Sequence, residues 1–342
     1  AVQNGRPPSY ILYDTALSVE QGTGTPWTPK NYDGRFEGPM PMRRGLYQSR
    51  NIIAIQAGME LGANTIINEA RNFGISTPIP PYPSIFIGSA DVLPIEMISA
   101  YTSFANQGIR ATPNAILRVE NSRQEVLWQQ TPSRTTVLSP EEAWIMVDMM
   151  KDVIRRGTAA GSVWGAGFHY PAGGKTGTTN DGTNVWFIGY TSDLVAGVWM
   201  GFDKPKKIMP DAQGGRLAAP AWTQFMTEVY RRRPAPPDWP RPASIVTRES
   251  DFSTGLLATP YCPRDVVGSE VYIPGTEPMR ECDKHLGYAA PGYDTLGTGA
   301  PPPVYTPPPP VNGGMRVIPG ASPTPKRDTS RVRDSIPAPR GR

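Results

Sequence analysis

Residues 173–182 read Gly-Gly-Lys-Thr-Gly-Thr-Thr-Asn-Asp-Gly, and the residues that follow are rich in aromatic and β-branched side chains. A lysine followed by Thr-Gly-Thr at the start of an apolar run is typical of a strand edge that binds an anionic group. Lys175 supplies a positive charge, Thr176 and Thr178 supply hydroxyl groups, and Gly177 allows another backbone to approach closely. The stretch therefore predicts an edge strand with a binding site along it.

A phosphate-binding P-loop is the main alternative, because Gly174-Lys175-Thr176 also ends that motif. The P-loop needs a glycine where this chain has His169, and it needs a helix directly afterwards. Instead, Asn184 to Tyr190 and Leu194 to Phe202 are two strand-like runs separated by a short turn. The pattern predicts a β-hairpin and excludes the P-loop.

A second polar motif, Ser49-Arg50-Asn51, lies upstream between two predicted helices. Met42 to Gln48 is predicted to form a short helix and Ile52 to Leu61 an apolar one that ends at Gly62. Ser49 and Asn51 then lie in the elbow between the helices, where their side chains can point into a cleft. The alternative interpretation is that one of them caps the second helix. The presence of Lys175 downstream favours the interpretation that Ser49 and Asn51 point into a cleft.

Lys-Thr-Gly and Ser-x-Asn are two of the three motifs that penicillin-binding proteins and serine β-lactamases share. Beyond these motifs, most of residues 1–290 resembles the transpeptidase domain of class A penicillin-binding proteins, the bifunctional peptidoglycan synthases. The resemblance lies in the segments Trp27–Leu46, Phe104–Gly108, Gly173–Asp203 and Gly255–His285. It implies an α+β fold in which an antiparallel sheet has helices on both faces.

The third motif of the family, Ser-x-x-Lys, carries the nucleophile and is absent from the 342 residues. In the family this motif lies upstream of the segment that Trp27–Leu46 resembles. We therefore expect an N-terminally truncated domain that begins downstream of the motif, of the family's glycosyltransferase domain and of its membrane anchor. Such a chain is expected to be inactive on its own, while a naturally inactive member of the family is the alternative.

The activity that the resemblance implies is DD-transpeptidation outside the cytoplasmic membrane. A serine attacks the D-Ala-D-Ala bond of a peptidoglycan stem peptide, an amine of a neighbouring stem takes over the acyl group, and β-lactam antibiotics react at the same site. No cofactor is implied. In this scheme the catalytic residues are Ser49, Asn51 and Lys175, and the substrate-binding residues are Thr176, Gly177 and Thr178. The backbone N–H of Thr178 would form half of the oxyanion hole.

Two other classes of function use the same residues. A DD-carboxypeptidase or β-lactamase-like hydrolase gives the acyl group to water. The segment Gly255–His285 and the basic C-terminal tail, residues 291–342, argue against a compact β-lactamase. A non-catalytic peptidoglycan-binding module is consistent with the missing Ser-x-x-Lys.

Composition predicts a globular body followed by a tail. We expect a transpeptidase domain over residues 1–232, a small module over 233–290 and a disordered, proline-rich tail over 291–342, which holds 13 of the 40 prolines. Residues 313–342 carry a charge of +5 where the whole chain carries +4. The body is therefore nearly neutral, and nucleic-acid binding by the fold is not expected.

The two cysteines, Cys262 and Cys282, lie in the small module. Metal binding is poorly supported, because the pair lacks CxxC spacing and His285 is the only histidine nearby. A disulfide is the favoured interpretation for a protein that acts outside the membrane. Two free thiols are the alternative.

Overall fold

The computed structural model describes residues 1–20, 24–131, 133–286 and 317–319. In these ranges the α-helices are α1 (Met42–Tyr47), α2 (Asn51–Leu61), α3 (Ala63–Asn72), α4 (Pro94–Ala105), α5 (Pro140–Arg155) and α6 (Gly214–Tyr230). Short 3₁₀ helices cover Val2–Asn4 and Pro83–Ile87.

The first strands of this part of the chain are β1 (Ile11–Asp14), β2 (Leu17–Val19), β3 (Gly38–Pro41), β4 (Ile109–Ala111), β5 (Arg118–Glu120), β6 (Val126–Gln129) and β7 (Arg134–Thr136). The later strands are β8 (Gly173–Thr178), β9 (Asn184–Tyr190), β10 (Val195–Gly201), β11 (Val246–Asp251), β12 (Leu256–Leu257), β13 (Val267–Tyr272) and β14 (Val317–Pro319).

The antiparallel sheet β10-β9-β8 is the centre of the fold, and the predicted hairpin is its β9–β10 pair. Side chains alternate along β9. Phe187 packs edge-on against Trp222 of α6, whereas Tyr190 contacts Tyr101 and Phe104 of α4. Helices therefore cover both faces of the sheet, and the predicted α+β fold is confirmed.

Local sequence signals account for the helix that packs beside β8. Ser139 accepts a hydrogen bond from the backbone N–H of Glu142, and the Glu142 carboxylate accepts one from the Ser139 N–H. The run Ser139-Pro140-Glu141-Glu142 is the sequence pattern of a capping box with proline in the first turn, which predicts a helix start here, and α5 begins at Pro140. The buried residues of α5 then recur at helical spacing, and Ile145, Met149 and Val153 are at most 2% exposed.

The last helix begins earlier than the sequence predicts. We expected a helix over residues 219–232, but α6 starts at Gly214 and contains Pro220 in its interior. Its first turn lies directly against neighbouring backbone. A Cβ atom on Gly214 would lie 2.2 Å from the Trp186 carbonyl oxygen, and one on Gly215 would lie 2.2 Å from that of Thr158. Tertiary contact, which only glycine permits at these two positions, determines where α6 begins.

A buried arginine joins the C-terminal strands to the helices. Arg43 of α1 donates to both carboxylate oxygens of Glu270 in β13, at 2.9 and 2.6 Å. It also donates to Asp148 and Asp152 of α5. The Arg43 side chain is 10% exposed and that of Glu270 is 2% exposed. The sheet β12-β11-β13 is thus attached to the main body through a desolvated ion pair.

The predicted tail lies outside the described residues, apart from β14. Those three residues pair antiparallel with β2. Over the described part of the chain, none of the helices has both the length and the apolar character needed to cross a bilayer.

Replacing Arg43 with methionine should lower the free energy of unfolding by about 3–5 kcal/mol, because the buried carboxylate of Glu270 then loses its positively charged partner. Arg44→Met is the matched control. Arg44 is 44% exposed and pairs with a partly exposed Glu37, so its loss should cost about 1 kcal/mol or less. Urea unfolding of both variants measures the difference, and equal costs for Arg43 and Arg44 would contradict the structural role of the buried pair.

Candidate active site

The predicted elbow between α1 and α2 is tightly folded. A Cβ atom on Gly45 would lie 2.3 Å from the Ile53 side chain, so only glycine allows the two helices to approach this closely. The chain then reverses at Ser49, whose φ of 57° lies in the left-handed region that non-glycine residues rarely adopt. Such a conformation persists only where the surroundings enforce it, and it directs the Ser49 side chain towards β8.

Arg50 fixes this elbow from behind. Its guanidinium donates to the fully buried carboxylate of Asp14 in β1, at 2.9 and 2.7 Å, and to Asp33 at 2.9 Å. Asp14 also accepts a hydrogen bond from Asn31, which in turn accepts one from the backbone N–H of Ile52 at the start of α2. The elbow and the segment 27–33, which we term the cleft loop, are therefore held by one polar network.

Ser49 and Lys175 meet across the site. Lys175 Nζ donates to Ser49 Oγ at 2.7 Å and to the Thr176 carbonyl oxygen at 3.1 Å. Burial lowers the pKa of Lys175 to about 8 from its usual 10.5. An ammonium group that loses its hydration in this way interacts strongly with any anion that enters the site. Two residues that are 126 positions apart thus form one polar centre.

A cleft of about 530 Å³ opens beside this pair. Its walls are the cleft loop, the elbow 48–51, and the segment 176–180 with the residues that precede α6. Asn51 lines the cleft, and its side-chain amide donates to the Lys30 carbonyl oxygen at 2.9 Å. Asn51 therefore also supports the cleft loop.

The remaining residues of the Lys-Thr-Gly-Thr strand each contact a different neighbour. Thr176 Oγ1 lies 2.7 Å from Thr158 Oγ1, and Thr178 Oγ1 accepts a hydrogen bond from the Gly214 N–H at 3.0 Å. Gly177 lies against Gly214, on which a Cβ atom would come within 2.6 Å of the Gly177 carbonyl oxygen. Helix α6 thus begins at the cleft, and the partial positive charge of its N-terminus favours an anion there.

Three further residues line this wall that the sequence patterns do not predict, and they are Thr158, Gln213 and Gly215. One feature of the sequence that could have indicated Thr158 is the Gly157-Thr158 pair that follows α5. A Cβ atom on Gly157 would lie 2.4 Å from the Tyr47 carbonyl oxygen, and the Thr158 N–H donates to the same oxygen. The feature that could have indicated Gln213 and Gly215 is the double glycine with which α6 begins.

The two cysteines lie away from the cleft, and the predicted disulfide is not present. Both thiols are free and buried. Cys262 Sγ accepts a hydrogen bond from the Thr259 N–H at 3.3 Å, and Cys282 Sγ donates to Asp251 at 3.2 Å. Each sulfur is therefore engaged by other polar groups of the small module.

Comparison with known proteins agrees with this geometry. Residues 1–227 match the family model of the penicillin binding protein transpeptidase domain, and residues 241–287 match that of the penicillin-binding protein 1A C-terminal domain. Penicillin-binding protein 1A of Neisseria lactamica is 34% identical over 242 residues, which cover 68% of this chain and 30% of the relative. The Pseudomonas aeruginosa protein of that name is 30% identical over 315 residues, covering 77% and 38%. The chain thus spans about a third of the length of these relatives.

Solved structures of the same kind share the fold. Penicillin-binding protein 1A from Haemophilus influenzae matches with a TM-score of 0.75 and 27% identity, over 82% of this chain and 47% of that one. PonA1 from Mycobacterium tuberculosis, solved in complex with penicillin V, matches with a TM-score of 0.58 and 20% identity, over 71% and 69%. The predicted family and fold are confirmed.

The lowered pKa of Lys175 predicts a specific pH dependence of stability. Between pH 8 and pH 10.5 the unfolded chain keeps the Lys175 proton while the folded chain has lost it. Unfolding then takes up a proton, so the free energy of unfolding of the wild type should rise with pH relative to Lys175→Met, by roughly 1–3 kcal/mol in total. Lys207→Met, at an exposed position, is the control, and its free energy of unfolding should follow that of the wild type at every pH. Urea unfolding across this pH range checks the prediction, and a constant difference for Lys175→Met would contradict it.

Proposed function

We propose that this chain, which belongs to the family of penicillin-binding protein transpeptidase domains, forms the substrate-binding part of a serine DD-transpeptidase that cross-links peptidoglycan. The observation that carries the proposal is the hydrogen bond between Lys175 and Ser49 at the head of the cleft. Its substrates are stem peptides that end in D-Ala-D-Ala, and β-lactams react at the same site. A fold neighbour, PonA1, binds penicillin V.

The terminal carboxylate of the stem peptide has a suitable binding position along β8. Lys175 provides a partly desolvated ammonium group, Thr176 and Thr178 provide hydroxyl groups, and α6 directs its N-terminus to the same wall. Charge-assisted hydrogen bonds in a desolvated site are stronger than those between neutral groups. Lys175, Thr176, Gly177 and Thr178 therefore bind the carboxylate, and the Thr178 N–H supplies one donor of the oxyanion hole.

The hydrogen bond from Lys175 supports a role for Ser49 in proton transfer. Its hydroxyl accepts a hydrogen bond from Lys175, so its own hydrogen is available to the leaving amine of D-Ala. When Ser49 gives that proton to the amine, it regains one from a neighbouring base that has deprotonated the nucleophile. Asn51, fixed on the Lys30 carbonyl, borders the substrate peptide in the cleft. These are the roles of a general acid and of an orienting amide.

The proposed mechanism also needs a nucleophilic serine. Because the chain contains no Ser-x-x-Lys and spans about a third of its relatives, we assign that motif to an upstream segment of a longer protein. The same longer protein would carry a glycosyltransferase domain and a membrane anchor, and would act on the outer side of the cytoplasmic membrane. In that protein residues 1–232 complete the transpeptidase domain, residues 233–290 form a C-terminal module and residues 291–342 are a disordered tail.

In the protein that includes the Ser-x-x-Lys segment, Lys175→Met should slow acylation by a fluorescent penicillin about 10- to 100-fold, because the β-lactam carboxylate loses a charged donor. Lys207→Met should label at the wild-type rate. The measurement is the labelling rate on a denaturing gel, with urea unfolding at pH 7 to show that the variant is folded. Equal rates for Lys175→Met and wild type would remove Lys175 from the site.

Residues 1–342 alone should form no stable adduct with the same penicillin, because the activated nucleophile and one oxyanion donor are absent. Extension through Ser-x-x-Lys should restore stoichiometric labelling. If the short chain is labelled and Ser49→Ala abolishes that label, Ser49 is itself a nucleophile and the assignment of the motif to an upstream segment is wrong. Supplying a stem peptide with and without an acceptor amine then separates transfer from hydrolysis.

A further inference from the structure

The small module contains a cluster of four side chains that the transpeptidase site does not use. Asp251, Cys262, Cys282 and His285 each offer one ligand atom, and these atoms all lie within 4.8 Å of one another. Asp251 is fully buried, while Cys262 and Cys282 are 8% and 4% exposed. We propose that this cluster is a structural zinc site with a Cys₂HisAsp ligand set.

The distances among three of the ligand atoms, those of Asp251, Cys282 and His285, are close to those around a tetrahedral ion, and Cys262 Sγ lies within 4.8 Å of each of them. Around zinc, with bonds of about 2.0 to 2.3 Å, neighbouring ligand atoms lie roughly 3.3 to 3.8 Å apart. Cys282 Sγ lies 3.4 Å from His285 Nδ1 and 3.2 Å from Asp251 Oδ2. His285 Nδ1 and Asp251 Oδ2 lie 2.6 Å apart and need to separate by only several tenths of an ångström. Two sulfur ligands favour zinc over magnesium or calcium.

The surroundings orient the ligands as those of metal sites do. Ser253 donates to Asp251 Oδ1 from its backbone N–H and from its hydroxyl, at 2.8 and 2.7 Å, which leaves Oδ2 facing the sulfur of Cys282. The Thr259 N–H donates to Cys262 Sγ, a contact that stabilises a thiolate. Lys284 donates to the Ser253 hydroxyl and brings a positive charge near a site whose ligands carry three negative charges when zinc is bound. Such outer contacts hold ligands in place and increase metal affinity.

The module also has a structural need for the ion. Among its described residues, 233–286, the large apolar side chains that are buried are Trp239, Ile245 and Tyr272. Trp239 packs edge-on against Tyr190 and donates to the Ala105 carbonyl oxygen, both in the main body. Ile245 packs with residues of the main body, and the Tyr272 hydroxyl donates to Ser9. A segment of this size without a core of its own is commonly stabilised by a metal or by disulfides. The proposed ligands come from the end of β11, from the following loop and from the C-terminal part of the module, so one ion ties three segments together.

Four protein ligands and deep burial indicate a closed structural site rather than a catalytic one. On binding, zinc displaces the protons of the two thiols to solvent. The proton between His285 Nδ1 and Asp251 also leaves by exchange with solvent, so that His285 coordinates through Nδ1 as the neutral imidazole that carries its proton on Nε2. The Asp251–His285 hydrogen bond is replaced by two bonds to the ion. No oxidation or reduction is involved.

The chain 1–342, freed of metal with a chelator under reducing conditions, is titrated with Zn²⁺ or Co²⁺ after the chelator and reductant are removed. We expect one ion per chain and, with Co²⁺, the intense visible absorption of a tetrahedral thiolate site. Thiol titration should show two reactive cysteines without zinc and protection of both with zinc. A chain that binds neither ion, or whose two thiols react equally with and without zinc, would overturn the proposal.

The two histidines of the chain provide a matched pair of variants. His285→Ala should abolish stoichiometric Zn²⁺ binding, whereas His169→Ala, at an exposed position outside the cluster, should retain it. Ser253→Ala should weaken binding about tenfold while the stoichiometry stays at one. If His285→Ala fails to fold, the Co²⁺ spectrum of the wild type still decides the matter. A mass lower by the two thiol hydrogens in protein isolated without reductant, together with no metal, would instead establish the disulfide.

Discussion

The buried ion pair between Arg50 and Asp14 is the constraint on which the cleft depends. Both side chains are removed from water, and Asp14 is surrounded by donors from Arg50, Asn31 and the Glu37 backbone. A desolvated pair is favourable only when its remaining hydrogen-bonding positions are filled, and here the residues that fill them belong to the cleft loop and its continuation. The hydrogen bonds that the Asp14 carboxylate accepts thus position two walls of the site, the elbow and the cleft loop.

This arrangement explains how Ser49 can adopt an unfavourable backbone conformation. The two residues that follow it are fixed, because Arg50 is bound to Asp14 and Asn51 to the Lys30 carbonyl. The left-handed turn at Ser49 then follows from its surroundings and places the hydroxyl against Lys175. The opposite wall is equally rigid, since β8 pairs with β9 while Gly214 of α6 packs on Gly177. Two rigid walls joined by the Lys175–Ser49 hydrogen bond leave little freedom for the charged group, which is the requirement for a preorganised binding site.

Local patterns were sufficient to predict the strand, the hairpin and the helical elbow. The Lys-Thr-Gly-Thr run, the aromatic strand Asn184–Tyr190 and the capping box at Ser139 are signals contained in a few neighbouring residues. The contribution of Thr158, by contrast, depends on contact between segments that are far apart in the chain, and periodicity carries no information about such contacts. The start of α6 was misplaced for the same reason, because packing of Gly214 on Trp186 overrides local preference. The predicted disulfide rested on compartment and spacing, which do not reveal that Asp251 and His285 lie beside the two sulfurs.

The module after α6 is connected to the body in two physically different ways. Near β13, Glu270 inserts a carboxylate into the body and is neutralised by Arg43, a contact whose cost of desolvation is met by hydrogen bonds at both oxygens. At the far end of β11, Asp251 is equally buried, but its partners are the Cys282 thiol, a histidine and Ser253 of the module itself. The first carboxylate therefore stabilises the attachment of the module to the body, and the second stabilises the internal order of the module. Loss of the contacts at Asp251 would loosen the segments 252–266 and 273–286, which flank β13, while the Arg43–Glu270 attachment stays in place and with it the transpeptidase cleft.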